Sequence, residues 1–203
     1  MELDLGLSVA RPYPGACNYP HGDILVMHRE STARVLKQNR NHASAVMALT
    51  TSASDERAQD VLAYLFDRVA PQMEFGRHAL AEFTDALGSS GPQVDAAMAW
   101  TDGLCIRLAF CGSHRFVLWR GGRAQRIPPP EDRTAHWSEV PVAEKDWFIM
   151  ADPATDSALP LGSILSLAQP GQTADNVCKM ATFQAATADA LNHHAVLALQ
   201  FKA

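Results

Sequence analysis

The chain has 203 residues, of which 47% are hydrophobic and 19% are charged, and its formal net charge is -5. This length is sufficient for one domain with its own core, and the composition excludes an extensively disordered chain. The basic residues are scattered through a mildly acidic chain, which would repel a phosphate backbone, so we expect no nucleic-acid binding.

The first half of the chain predicts strands followed by helices. In chain order, the predictions are a strand over 2–10, a loop over 11–22, a hairpin of strands over 23–29 and 32–37, an alanine-rich helix over 43–53, a helix over 54–70 and a second helix over 73–87. Ser54 occupies the position of an N-cap, with Asp55 and Glu56 in the first turn. Apolar residues then recur at helical spacing, which supports the helix.

The second half changes to a strand pattern. The predictions are strands over 94–100 and 104–112, a hairpin over 115–127 that turns at Gly121 and Gly122, a strand over 146–152, a helix over 173–191 and a strand over 194–201. The last helix is predicted to bury Val177, Met180, Phe183, Ala188 and Leu191. Runs of strands separated by runs of helices favour a layered α+β domain over a βαβ fold.

Cysteine usage and the N-terminal sequence indicate the cytoplasm. The four cysteines form no CxxC pair, so we expect reduced thiols and no disulfide scaffold. The N-terminal residues lack the basic and apolar regions of a signal peptide, and no apolar run approaches the length of a membrane span. We therefore expect a cytoplasmic protein without membrane contact.

Several short segments together carry a family pattern. They are residues 21–25, residues 35–45, residues 109–123, residues 146–152 and residues 192–199. In order and spacing they resemble the motifs of the metal-dependent serine/threonine phosphatases (PPM family), especially the compact bacterial sporulation and stressosome phosphatases. The resemblance implies one domain over residues 1–203, built as a four-layer α/β/β/α sandwich of two antiparallel sheets flanked by helices.

The resemblance also implies where metal ligands would lie. The family hydrolyses phosphomonoesters with a water bound between two Mn²⁺ or Mg²⁺ ions, which are held mainly by carboxylates. The bridging aspartate of the family corresponds to Gln38, or to Lys37 if the register slips by one. Neither side chain can bridge two cations as a carboxylate does.

The remaining ligand positions are only partly retained. Asp152 keeps its carboxylate, but Pro153 replaces the glycine that follows it in the family. The last aspartate of the family corresponds to Asn192 or His193, and Asp23 matches a carboxylate that acts through metal-bound water. With one of three core carboxylates left, we expect no standard two-metal centre and no cofactor. If the divergent site is active, the metal would be Mn or Mg.

Two other groups of side chains are candidates for binding. His21 and His193, with Asp23 and Asp152, could form a rebuilt metal site, or the histidines could simply be scattered over loops and surfaces. Arg115 is one of five arginines along the central strands that could hold a phosphate or an acidic partner, or could form a solvated face. Trp137 lies in a segment predicted as a polar loop, where it could anchor an interface or fold back onto the domain.

Three functions therefore remain open at the level of the sequence. The first is a pseudophosphatase in bacterial signalling or stress response that binds a protein partner, and the resemblance implies a regulator phosphorylated on Ser or Thr as that partner. The second is an active but divergent metal-dependent serine/threonine phosphatase, a hydrolase. The third is a structural or assembly subunit, which a large exposed apolar patch would favour.

Overall fold

The structure is a computed structural model that describes residues 2–12, 15–16, 18–27, 44–90, 94–127 and 134–202. The strands are β1 (Glu2–Ala10), β2 (Tyr19–Met27), β3 (Ser44–Ser52), β4 (Val94–Thr101), β5 (Cys105–Cys111), β6 (Arg115–Arg120), β7 (Arg123–Ile127), β8 (His136–Pro141), β9 (Trp147–Ala151) and β10 (His194–Lys202). The helices are α1 (Asp55–Tyr64), α2 (Arg77–Ser90), α3 (Pro153–Ala158), α4 (Leu161–Leu167) and α5 (Ala174–Ala188). A π-helical turn (Leu65–Val69) and a 3-10 helix (Ala70–Phe75) connect α1 to α2.

The described strands form two five-stranded antiparallel sheets. Sheet A has the order β1-β10-β9-β6-β7, and sheet B has the order β2-β3-β4-β5-β8. Alternate residues of the two sheets face each other across a shared core, because side chains along a strand point to opposite faces. This core includes Met47, Leu49, Leu108, Phe116, Phe148 and Leu197.

Helices cover the outer faces of both sheets. The α1–α2 region packs on sheet B around Val61, Leu65 and Phe83. Helices α4 and α5 pack on sheet A around Ile164, Val177 and Cys178. The predicted four-layer α/β/β/α sandwich is therefore confirmed, and so are the N-cap at Ser54, whose side chain accepts from the Arg57 N–H, and the β6–β7 hairpin.

The alanine-rich segment 43–53 is not a helix. Ser44–Ser52 forms β3, which lies between β2 and β4 and has seven of its nine residues fully or almost fully buried. A strand covered on both faces shows a continuous apolar run without alternation, and such a run does not distinguish a strand from a helix. Position in the sheet, not alanine propensity, determined the outcome.

The buried face of α5 also differs from the prediction. Phe183 is 72% exposed and Leu191 is 68% exposed, whereas the smaller Cys178, Ala181 and Ala185 are buried. The helix lies close to β1, where a Cβ on Gly6 would overlap the Ala174 backbone. At this distance only small side chains fit beneath the helix.

Several boundaries were also wrong. Tyr19–Gly22 belongs to β2 rather than to a loop, Trp137 lies on β8, and α2 extends to Ser90. Helices α3 and α4 were not predicted. The second strand of the hairpin predicted at 32–37 lies outside the described residues.

Candidate functional site

One end of the sandwich gathers most of the polar candidates. There β2 begins where β3 ends, since Tyr19 pairs with Ser52, and β6 begins where β9 ends, since Arg115 pairs with Ala151. At this end the Tyr19 ring at the start of β2 contacts the His193 ring just before β10, and the ring centroids are 5.3 Å apart in an edge-to-face arrangement.

Asp152 is completely buried there and caps α3. Its carboxylate accepts the N–H groups of Ala154 at 3.3 Å, Thr155 at 3.2 Å and Ala195 at 3.0 Å, and also the Thr155 hydroxyl. Burial raises the pKa of Asp152, while the hydrogen bonds from Thr155 and Ala195 oppose that rise. Both carboxylate oxygens are thus occupied by protein donors, and they connect β9, α3 and β10.

Asp23 lies on the face of β2 that points away from the shared core. A Cβ on the preceding residue, Gly22, would meet Leu7 and Leu49 in the shared core. Since successive side chains alternate, Asp23 points outward, where it is exposed and accepts the Ile24 N–H at 2.8 Å. The structure therefore does not bring Asp23 and Asp152 together.

Asn192 and His193 are held by local hydrogen bonds. The Asn192 amide donates to Asp189 at 2.8 Å, and this bond is the main reason why the pKa of Asp189 is lowered. The backbone of His193 donates to the Asn18 side chain at 3.0 Å and accepts from it at 2.7 Å. These hydrogen bonds hold the segment just before β10 in place.

His21 pairs with a residue that the sequence reasoning did not propose as a site residue. Its Nε2 lies 2.7 Å from Asp55 Oδ1 at the first position of α1, and the Arg11 guanidinium lies 3.7 Å from the same carboxylate oxygen. The pKa of Asp55 is lowered, chiefly by the hydrogen bond with His21. The N-cap signature at Ser54 was the available signal, because it places Asp55 at the helix start.

His114 was not predicted as a site residue either. It is buried in the turn between β5 and β6, with Nε2 3.4 Å from the Thr51 hydroxyl, and Nδ1 has no hydrogen-bond partner among the described residues. Burial lowers the pKa of His114 to about 4. The imidazole is therefore neutral at physiological pH.

The two binding candidates have structural partners. Arg115 donates to Asp156 at 2.9 Å, which joins β6 to α3. Trp137 is half-buried and packs against the core beneath the α1–α2 region, close to Gly76. The ring therefore packs onto the domain, and its role in binding stays a prediction.

The described side chains do not fit a two-metal centre. Within the described ranges, no three His, Cys, Asp or Glu residues are grouped so that they could hold a metal ion. Asp152 is occupied by N–H and O–H donors, and Asp23 faces away from it. Gln38 and Lys37 lie outside the described residues.

Comparison with solved structures identifies the architecture. The phosphatase domain of SpoIIE from Bacillus subtilis superposes with a TM-score of 0.68 at 9% identity, covering 98% of this chain and 92% of that one. The catalytic domain of the serine/threonine phosphatase PstP in complex with two manganese ions has a TM-score of 0.60 at 11% identity, covering 92% and 100%. The chain has the PPM phosphatase fold.

A third phosphatase-fold neighbour comes from a study of the bacterial stressosome. Its TM-score is 0.68 at 15% identity, and the match covers 98% of this chain and 100% of that one. No protein-family model and no curated protein matches the sequence. No helix in the described ranges is long and apolar enough to cross a membrane.

Proposed function

We propose that this chain is a regulatory protein with a phosphatase fold, which binds a protein partner and has little or no phosphatase turnover. One observation carries the proposal: the carboxylate of Asp152, the one retained core ligand position, is buried and hydrogen-bonded to protein donors. It acts as a helix cap and a link between strands.

The energetics favour this role over metal binding. A cation at Asp152 would have to displace hydrogen bonds from Thr155 and Ala195, and each N–H left without a partner in the interior costs about 1–3 kcal/mol. A second carboxylate would be needed to hold two close divalent ions, and Asp23 faces away. Asp152 and Asp23 together would therefore not recover, through metal binding, the free energy lost with those hydrogen bonds.

The partner class is proposed by analogy with the fold neighbours. One neighbour comes from the stressosome, described as a system adapted to control secondary messenger signalling. Another is the phosphatase domain of a cell-fate determinant. By analogy, the partner proposed for this chain is a bacterial signalling protein of the kind that is phosphorylated on Ser or Thr.

Metal titration with a parallel turnover assay tests the proposal. Metal-stripped protein is titrated with Mn²⁺ by calorimetry, and hydrolysis of p-nitrophenyl phosphate is measured on the same sample, with the PstP catalytic domain as the positive control. We expect no saturable binding and turnover at the level of the blank.

A different result would support the divergent phosphatase. Two tight Mn²⁺ sites, with turnover that disappears in Asp152→Asn but persists in Asp175→Asn, would overturn the proposal. Asp175 is a matched control because it is an aspartate on the surface of α5, paired with Lys179.

A further inference from the structure

Strand β7 forms an exposed edge of sheet A. It stands last in the strand order and pairs with β6, and no described strand pairs with its other edge. Four of its five residues, Arg123–Arg126, are exposed. An open strand edge presents unpaired N–H and C=O groups that can accept another strand.

The turn before β7 determines which backbone groups point outward. Gly121 and Gly122 connect β6 to β7 in a two-residue turn, and their φ values are 54° and 81°. In such a hairpin the flanking residues, Arg120 and Arg123, form a hydrogen-bonded pair. The pattern then alternates, so the N–H and C=O groups of Ala124 and Arg126 point away from β6.

The charge along this edge is not neutralised by described residues. Each of the other arginines on the described strands is paired with a carboxylate: Arg107 with Glu139, Arg115 with Asp156 and Arg120 with Asp146. Arg123 and Arg126 form no ion pair with a described residue. An otherwise acidic chain, with a net charge of -5, thus carries a local basic edge.

We propose that β7 binds an extended acidic segment of a partner protein as an additional strand of sheet A. The outward backbone groups of Ala124 and Arg126 supply the strand pairing, and Arg123 and Arg126 select acidic side chains on the two faces. This inference rests on the proposed partner-binding function and names the surface and the partner chemistry.

The competing explanation is that the charges protect the edge. Arginine or lysine on a short edge strand is a common device against unwanted pairing. The two explanations differ in one respect, because a protective edge rejects strands of every charge, whereas a docking edge binds acidic strands selectively.

Amide NMR of the full chain distinguishes them. The ¹⁵N-labelled protein is titrated with a short β-forming peptide of Glu, Val and Thr, and with the same peptide carrying Lys in place of Glu. We expect saturable shifts of the Ala124 and Arg126 amide signals with the acidic peptide only.

Three variants locate the contact. Ala124→Pro removes an outward N–H without removing a bond to β6, and the double variant Arg123→Glu/Arg126→Glu reverses the charge. Each of these two changes should weaken the binding of the acidic peptide about tenfold. Lys179→Glu, an exposed charge reversal on α5, should leave it unchanged.

The outcomes separate this inference from the proposed function. No shift on β7, equal binding of both peptides, or an equal loss in Lys179→Glu would overturn the edge proposal. Such a result leaves the metal and turnover measurements unaffected, and those measurements alone decide whether the chain is a phosphatase.

Discussion

At the scale of single residues, His114 links folding to pH. Burial lowers its pKa from 6.5 to about 4, an effect that Asp95 opposes and Arg115 reinforces. Above pH 6.5 the imidazole is neutral in both folded and unfolded chains, so it adds no pH dependence. Between pH 6.5 and 4 only the unfolded chain takes up the proton, and stability therefore falls as the pH falls.

This linkage predicts a measurable difference between two histidine variants. Over that interval the wild-type free energy of unfolding should include a loss of about 3 kcal/mol from His114. Urea unfolding of His114→Gln at several pH values should show a shallower decline. His78→Gln, at an exposed position on α2, should retain the wild-type slope. Equal slopes in all three proteins would contradict the assignment.

Asp152 is expected to stabilise the fold without metal. Asparagine at this position would place an amide N–H₂ against donors that now meet a carboxylate, so Asp152→Asn should lower the free energy of unfolding by about 3 kcal/mol. Urea denaturation measures the change, and EDTA or Mn²⁺ should not alter the wild-type midpoint.

A neighbouring aspartate supplies the comparison for Asp152. Asp156 lies on α3, the helix that Asp152 caps, and forms a half-buried ion pair with Arg115 on β6. Asp156→Asn removes this pair and should lower the free energy of unfolding by about 1 kcal/mol or less. If Mn²⁺ stabilised the wild type but not Asp152→Asn, the carboxylate would be acting as a ligand instead.

At the scale of secondary-structure elements, the contact between β1 and α5 depends on Gly6. A Cβ at this position would overlap the Ala174 backbone, so Gly6→Ala must push the helix away from the sheet. We expect a loss of about 2 kcal/mol or more in thermal or urea unfolding, the usual cost of overpacking. A neutral effect would show that the helix moves freely.

A second glycine provides the control for that substitution. Gly162 lies in α4 with open space around its Cβ position. Gly162→Ala should be neutral or should stabilise the fold by up to about 1 kcal/mol, since alanine loses less backbone entropy than glycine on entering a helix. Comparing Gly6→Ala with Gly162→Ala separates the effect of packing on stability from the effect of backbone entropy.

Elements with local signals were predictable, and elements defined by tertiary contacts were not. The glycine pair before β7 and the N-cap at Ser54 are short-range features, and both are confirmed. The segment of β3 has no distinctive local sequence signal, because its burial comes from sheet A on one face and from the α1–α2 region on the other. The exposed Phe183 has the same cause, since the close approach at Gly6 determines which face of α5 is buried.

At the scale of the whole molecule, the order of elements predicted the fold better than it predicted the site. The four-layer sandwich was recovered although several elements were assigned wrongly. The pairing of His21 with Asp55 joins residues 34 positions apart, and Asp152 is joined to Ala195 across 43. Such contacts depend on three-dimensional proximity, which the spacing of residues along the chain does not reveal.

The two sheets differ in how much of the chain each requires. Every strand of sheet B lies within residues 19–141, and four of the five follow one another as neighbours. In sheet A, by contrast, β10 lies between β1 and β9 and connects them. During synthesis, sheet B can therefore pair while the ribosome is still translating, whereas β1 has no described strand to pair with until residues 194–202 emerge. Until then, the backbone N–H and C=O groups of β1 lack the partners that β10 supplies in the finished fold.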